Sequence, residues 1–494
     1  MRSLSDKAGF LIIANFFKYA IGFALPMIVV RLFNRTDYGT YQQLNLLATV
    51  TIGLMTIGLP TSIYYFYHQV ERAKIPVLIA QTTLMLVLAA GVAGMFLFLF
   101  SPWIGGRLHN PAISSLLPTF SLYIALSIAA EHFLPVLISG DRYRLAVGFE
   151  VGETVVRVTL VLVPLLLGLG IRGFVMFMAV YGTIRLAARS VVLIVAEGRL
   201  REFHWTDVFL RKQLGYSGSI VASMLAGVVS NQFDRALVAA SFSPAEFAIY
   251  AVGALEIPVD SIFQSSVANV LRASLPPLVR DGNLAEIVRV LRESVRKLSI
   301  IVIPGFIFLE GFSREFITTL FTHSYLESVN VFRIYLFLMP LNMFIFSLIP
   351  QVFGRPRMNF NVAVVSSTGN VVLNVILLHT LGLFGPAVGA VSSAYLSSAI
   401  YAAIVVRFTR ASIFQVIPFG ALARTATVGG VALLVARLVC SGAASLPGPA
   451  LLALAGSVFS AVFFVSALSV GVFTEGDRRL AGRWLGRIGT ALIK

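Results

Sequence analysis

Among 494 residues there is one cysteine, Cys440, and there are six histidines, at 68, 109, 132, 204, 323 and 379. A lone cysteine excludes an internal disulfide framework and any cysteine-built metal cluster. The histidines show neither HExxH nor any other ligand spacing, so metal chemistry has no foothold and no cofactor is called for. Charge is scarce as well: 12% of residues are charged, against roughly 25% in soluble globular proteins, while 57% are hydrophobic. Nor is any polar stretch long enough to form the surface of a soluble domain, although a chain of this length would otherwise fill several. The bilayer is therefore the solvent to reason with. The basic excess of 38 to 22 gives a net charge of +16, which in a soluble protein would raise nucleic acid as a partner. In a membrane protein it reads as a cytoplasmic face lying against anionic lipid headgroups, with no nucleic acid involved.

What the sequence does have is long apolar runs. A spanning helix needs roughly 20 mostly apolar residues, and the runs are too continuous for barrel strands. Spans are expected at 8–32, 42–67, 75–100, 113–139, 145–169, 173–196, 214–241, 246–271, 298–312, 328–352, 358–381, 386–408, 417–440 and 448–473, which makes fourteen helices. The ninth is interrupted by Pro304 and Gly305 and closed early by Glu310 and Arg314. Loop charge tests the count independently, because Lys and Arg stay on the cytoplasmic side of short loops. With the N-terminus inside, inner segments carry 25 basic residues and outer segments five, namely Arg31, Arg35, Arg107, Arg172 and Arg314. Both termini are then cytoplasmic. The first run is too long for a cleavable signal, contains Lys18 and precedes no A-x-A-like site.

The chain repeats itself. Phe33-Asn34-Arg35-Thr36-Asp37-Tyr38-Gly39-Thr40-Tyr41 recurs as Phe242-Ser243-Pro244-Ala245-Glu246-Phe247-Ala248-Ile249-Tyr250 at an offset of 209. Gly140, Leu167-Gly168-Leu169 and Tyr181 recur as Gly354, Leu381-Gly382-Leu383 and Tyr395 at an offset of 214, a five-residue insertion apart. Helices 1 to 6 and 7 to 12 thus read as two copies of one bundle. An even number of helices per copy makes the copies parallel, with substrate bound between them and access alternating. The expected organisation is a first lobe over 1–200, an amphipathic linker at 201–213 and a second lobe over 214–412. Helices 13 and 14 follow over 413–474, with a basic tail at 475–494.

The stretch from Arg31 to Tyr41, with Gly58-Leu59-Pro60, resembles the N-terminal signature of bacterial polysaccharide flippases of the Wzx type. Asn370 to Asn374 and Leu381-Gly382-Leu383-Phe384-Gly385-Pro386-Ala387-Val388-Gly389-Ala390 are similar to that family's turn between helices 11 and 12. The family belongs to the multidrug, oligosaccharidyl-lipid and polysaccharide exporter superfamily. The resemblance implies an all-α, V-shaped two-lobe transporter in the bacterial inner membrane. It would move a polyprenyl-diphosphate-linked oligosaccharide to the outer leaflet, working beside glycosyltransferases and a polysaccharide polymerase.

A charge at a helix centre costs roughly 2.5 to 3.5 kcal/mol on insertion scales, so each one asks for a reason. Lys18 shares a polar stripe with Asn15 and Gly22 and is a candidate for attracting diphosphate; the alternative is a lysine paired with a carboxylate from another helix. Arg157 has Glu153 at i−4 and Glu150 at i−7, so it is either a substrate cation or a residue neutralised within its own helix. Arg185 and Arg189 form an i, i+4 pair; Arg189 is close enough to the inner face to snorkel, which leaves Arg185 the better substrate candidate. On helix 7, Ser223, Gly227, Ser230, Asn231 and Asp234 share one face with Arg235 beside them. Gly227 corresponds to Lys18, so the central cation exists in one copy only. Glu256, Asp260 and Gln264 are spaced at i, i+4 and i+8 around Pro258, a pattern fit for proton or sodium coupling or for pairing with Lys18 or Arg235. Asp234 and Glu153 are the next coupling candidates. Arg333 and Arg437 stand near the outer ends, where snorkelling suffices.

Two other functions compete. A multidrug or organic-cation antiporter of the same superfamily would favour an acidic, aromatic-lined cavity, against which Lys18 and the central arginines argue. A membrane glycan polymerase or transferase would need a sizeable polar loop or paired acids. The longest outer loop, 313–327, holds no catalytic set.

Overall fold

Apolar runs of this length satisfy their backbone in lipid as helices. The computed structural model describes residues 20–56, 58–196, 210–255, 257–443, 445–475 and 477, and among them no strand occurs. In chain order the helices are α1 (Ala20–Leu32), α2 (Arg35–Thr56), α3 (Leu59–Phe66), α4 (Ile75–Leu99), α5 (Ser101–Arg107), α6 (Pro111–Ala129), α7 (Phe133–Ser139), α8 (Tyr143–Leu166), α9 (Gly170–Ala196), α10 (Leu210–Ser241) and α11 (Pro244–Gly253). They continue as α12 (Pro258–Arg280), α13 (Leu284–Gly311), α14 (Ser313–Phe321), α15 (Ser328–Leu336), α16 (Ile349–Val352), α17 (Arg357–Leu381), α18 (Gly385–Thr409), α19 (Ile413–Val416), α20 (Phe419–Ser441) and α21 (Gly448–Ser469). Six of the described stretches are long and apolar enough to cross a membrane, and eight if each of two bent pairs is one span.

Four expected spans take a different form. The ninth, at 298–312, is the end of a longer helix: α13 starts at Leu284, where the Asn283 side chain accepts from the Glu286 N–H at 3.1 Å, and runs past Pro304. The eighth, at 246–271, is not one helix. α11 stops at Gly253 and α12 begins at Pro258, whose missing N–H is harmless at a helix start. The tenth, at 328–352, bends by 51° between its two parts. A bend of 41° also separates α2 from α3, and there Gly58 adopts φ 67° ahead of Pro60. An L side chain resists that left-handed conformation, so Gly58-Leu59-Pro60 is the sequence of a broken helix.

The repeat has a physical meaning. In the first copy the Asn34 side chain accepts from the Asp37 N–H at 2.8 Å and donates to the Asp37 carboxylate at 2.8 Å. In the second, the Ser243 N–H donates to Glu246 at 2.9 Å while the Glu246 N–H donates to Ser243 Oγ at 3.3 Å, a capping box. Both motifs thus start a helix the same way, at residues 209 apart. They also pack on one another: α2 lies against α11 so closely that a Cβ on Gly39 would stand 1.8 Å from the Pro244 carbonyl oxygen. Gly168 and Gly382, the paired glycines of the second register, both take positive φ, 73° and 57°, where a helix must end and turn back.

By contact the described chain divides into two units. The first comprises Met1–Pro258 with Ala363–Ser393. In it α6 packs against α4 and α9, α8 against α9, and α10 against α2 and α3, around a core that includes Tyr38, Phe120, Phe133, Phe174 and Tyr250. The second comprises Val259–Val362 with Ala394–Lys494. Here α20 and α21, the helices outside the repeat, pack as a pair on α13 through Phe312, Ala432, Ala436, Phe459 and Phe463. Arg292 of α13 donates to the Phe414 and Gln415 carbonyls at 2.7 and 2.8 Å, and Arg296 pairs with Glu293 at 2.7 Å and Asp477 at 2.8 Å. At the far end of α13, Arg437 pairs with Glu315 at 2.6 Å and Arg333 donates to Ser313 Oγ at 2.7 Å. Expected only to snorkel, these two arginines instead tie α20 to α14 and α15 to α14.

Candidate functional site

Intramembrane charge gathers where α8 and α9 meet. Glu153 of α8 turns toward α9, where Arg185 Nε pairs with one of its oxygens and Arg189 Nη2 with the other at 2.7 Å. The Tyr181 hydroxyl donates to the same carboxylate at 3.1 Å. Arg185 also donates to Glu131 at 3.0 Å, and Arg189 donates to the Ala130 carbonyl at 2.8 Å while lying 5.2 Å from the centre of the Phe133 ring. Arg189 therefore does not snorkel. It is 5% exposed and closes the centre of the network. Two carboxylates and two arginines so placed neutralise one another with nearly every hydrogen-bonding position used, the condition under which buried ion pairs persist.

This pairing frees Arg157. Glu153, one turn earlier and able to neutralise it, is committed to α9, and Glu150 is an electrostatic neighbour of Tyr64 of α3. Among the described residues no carboxylate pairs with Arg157. Its electrostatic neighbours are Tyr123, Tyr41, Tyr181 and Arg185, and by surface accessibility the residue is exposed. The result is a guanidinium in excess whose phenol neighbours supply no counter-charge, the Tyr181 hydroxyl being already donated to Glu153. Tyr41 belongs to the 33–41 motif and Tyr181 to the second register, so both repeat signatures meet at this cation. The second register places Ser367, Val371, Ala399 and Ala403 where Glu153, Arg157, Arg185 and Arg189 stand in the first copy. The charge asymmetry expected from Lys18 and Gly227 thus extends to the whole cluster.

Other candidates lie apart. Asp234 of α10 is buried and accepts from the Tyr250 hydroxyl at 3.1 Å; Arg235 donates to the Ala254 carbonyl at 2.7 Å; Asn231 is exposed on the same helix. Lys18, Asn15 and Glu256 lie outside the described residues, as does the side chain of Asp260. No group of three or more His, Cys, Asp or Glu side chains fit for a metal ion occurs among the described residues. Sequence reasoning missed Glu131 and the three tyrosines. A signal existed for Glu131, which with His132 interrupts the apolar run 113–139. The repeat marked Tyr41 and Tyr181, but their place beside Arg157, like that of Tyr123, depends on helix packing.

An all-helical bundle with apolar spans and a set of arginines inside them is a multi-pass membrane transporter fold. Residues 28–330 match the family described as polysaccharide biosynthesis protein, and the chain belongs to it, within the superfamily that the Arg31–Tyr41 motif resembles. Solved structures agree on the fold. The lipid II flippase MurJ in an inward closed conformation is 12% identical with a TM-score of 0.61, over 92% of this chain and 99% of that one. A multidrug resistance MATE family transporter in an inward-facing conformation is 13% identical with a TM-score of 0.60, over 79% and 95%. A mutant of the Vibrio cholerae MATE transporter VcmN is 13% identical with a TM-score of 0.54, over 83% and 97%. No curated protein matches the sequence.

Proposed function

We propose that this chain is a flippase carrying a polyprenyl-diphosphate-linked oligosaccharide from the inner to the outer leaflet of the bacterial inner membrane. It does so for surface polysaccharide biosynthesis, by alternating access coupled to a proton or sodium gradient. The observation that carries this reading is Arg157, a cation without a carboxylate partner among the described residues, in a chain of the polysaccharide biosynthesis family. A planar guanidinium suits a diphosphate, and inside low dielectric it attracts one strongly. In this reading Lys18 with Asn15, and Arg235 with Asn231, extend the anion path, while Asp234, Asp260 and Glu256 serve ion coupling. Glu153, Glu131, Arg185 and Arg189 hold the face on which Arg157 stands. Fourteen helices, two parallel six-helix repeats and cytoplasmic termini complete the proposal, with membrane lipids, glycosyltransferases and a polymerase as its surroundings.

Deleting the gene tests it. Surface polysaccharide should disappear while its lipid-linked precursor accumulates on the inner side. A precursor that is never made would mark the chain as a biosynthetic enzyme. Intact polysaccharide with heightened sensitivity to organic cations would mark it as an antiporter.

A further inference from the structure

The segment between α18 and α20 carries a patch that the flippase reading does not use. After α18 the Ser412 N–H donates to Gln415 Oε1 at 2.9 Å at the start of α19, and the buried Val416, Ile417 and Pro418 seat the segment on α13. Phe414 and Phe419 are left outside, 72% and 47% exposed, with ring centroids 5.4 Å apart. Three exposed arginines reach this segment. Arg292 of α13 donates to the Phe414 and Gln415 carbonyls, which a helix end leaves unpaired, and both bonds come from Nη1. Its Nε and Nη2 have no partner among the described residues. Arg424, in the second turn of α20, turns back toward Phe419, and its Nε donates to the Gly420 carbonyl at 3.2 Å. Arg410, two residues before Ser412, holds φ 56°. A glycine would take that left-handed turn with less strain, so the backbone supplies no reason for an arginine there.

The charge of these three is uncompensated. Elsewhere on α13 each cation has a carboxylate: Arg289 has Glu286, Arg296 has Glu293 and Asp477, and Lys297 has Glu293 at 3.5 Å. Arg292, Arg410 and Arg424 pair with none among the described residues. A positive segment that also exposes two phenylalanines suits a molecule with an anionic head and an apolar tail. In the orientation predicted from loop charge, α19 lies at the inner leaflet, where anionic phospholipid is present. We propose that Arg292, Arg410 and Arg424, with Phe414 and Phe419, form a binding site for one anionic phospholipid of that leaflet. The guanidinium groups hold its phosphate, for which their donor geometry is suited, and an acyl chain lies on the rings. This lipid is a fixture of the fold and not its cargo, since all five residues belong to the unit without Arg157. Arg292 comes from α13 and the other four from the connection into α20, so an occupied site ties the two helices together at their inner ends. A basic face in general would not single out this segment, because the neighbouring cations of α13 are already neutralised.

The test titrates the full chain, stripped of lipid in detergent, with phosphatidylglycerol, phosphatidylcholine and inorganic phosphate while thermal unfolding is followed. Phosphatidylglycerol alone should raise the melting temperature, in proportion to its binding to the folded state. Arg292→Gln, Arg424→Gln and Arg410→Gly should each weaken the apparent affinity for phosphatidylglycerol about fivefold, and Phe414→Ser should weaken it as well. Arg292→Gln also removes two structural hydrogen bonds; if that variant does not fold, Arg410→Gly decides, because it relieves the turn and should melt no earlier than wild type without lipid. Arg289→Gln, an equal loss of charge on α13, should leave the affinity unchanged. Equal weakening by Arg289→Gln, or full affinity in Arg410→Gly and Arg424→Gln, overturns the site in favour of diffuse surface charge. Equal stabilisation by phosphatidylcholine overturns it too and returns the rings to the aromatic belt of the membrane interface. Stabilisation by inorganic phosphate to the same degree overturns the lipid and leaves an anion site only. Transport is not the readout, so the outcome is independent of the flippase reading.

Discussion

Arg157 and Glu153 sit one turn apart on α8, yet removing each should do opposite things. Arg157 is exposed and has no carboxylate partner among the described residues, so Arg157→Ala leaves no buried charge stranded. Transport should fall to background while expression and thermal stability stay near wild type, and Arg157→Lys should keep part of the activity. Glu153→Gln leaves Arg185 and Arg189 with uncompensated charge in a buried place. Breaking such a pair costs about 3–5 kcal/mol, so the variant should lose stability before it loses binding. Thermal unfolding in detergent, measured beside transport in vesicles, separates the two. A fully active Arg157→Ala protein would end the case for this residue as the diphosphate cation.

At the level of elements, two contacts are exacting. Gly39 admits Pro244 so closely that any side chain must drive α2 and α11 apart. Overpacking of this kind costs typically about 1–3 kcal/mol, and here the clashing atoms are backbone, which cannot swing aside. Gly39→Ala should therefore express poorly and melt early, whereas Ala248→Gly, at the equivalent place of the second motif, should cost far less. The second contact ties the segment after α21 to α13. Burial opposes ionisation of Asp477, but hydrogen bonds from Arg296 and from the Thr474 hydroxyl and N–H, with the Arg296 charge, lower its carboxyl from 3.8 to about 2. Because the folded value lies below the unfolded one, this tie contributes fully above about pH 4 and fades as the pH falls through 2. Hydrogen exchange at Thr474, corrected for its intrinsic pH dependence, should show protection lost over that window. Asp477→Asn should remove the protection at neutral pH.

For the whole molecule, the strongest expectation is orientation. Basic residues divided 25 to five between the two expected sets of loops predict that both termini lie in the cytoplasm. With Cys440 replaced, a cysteine at position 36 should react with an impermeant reagent in intact cells and one at 73 only after permeabilisation. Labelling of position 73 in intact cells would invert the chain and move Arg157's surroundings relative to the leaflet where the substrate is made. The match of residues 28–330 to the polysaccharide biosynthesis family and the fold shared with MurJ are compatible with either outcome. The experiment therefore measures something those comparisons leave open.

The sequence by itself determined the class. Apolar runs too long for any soluble core and too continuous for barrel strands, a loop-charge asymmetry and two registers of repeat make an all-helical transporter, because in lipid only helices and closed barrels satisfy the backbone and periodicity along the chain is a one-dimensional property. It also picked out Arg157, Arg185 and Glu153, since a charge in an apolar run is visible without coordinates. What it could not decide was the partner of each. Arg157 has Glu153 at helical spacing, and sequence offers no reason for that carboxylate to look away. Only the packing of α9 against α8 brings Arg185, Arg189 and Tyr181 to Glu153 at once, where three donors outcompete one. The break between α11 and α12 was likewise hidden, for Pro258 is as compatible with a kinked helix as with a new one. Pairing and breakage depend on contacts between elements distant in the chain, and those exist only once the helices have packed.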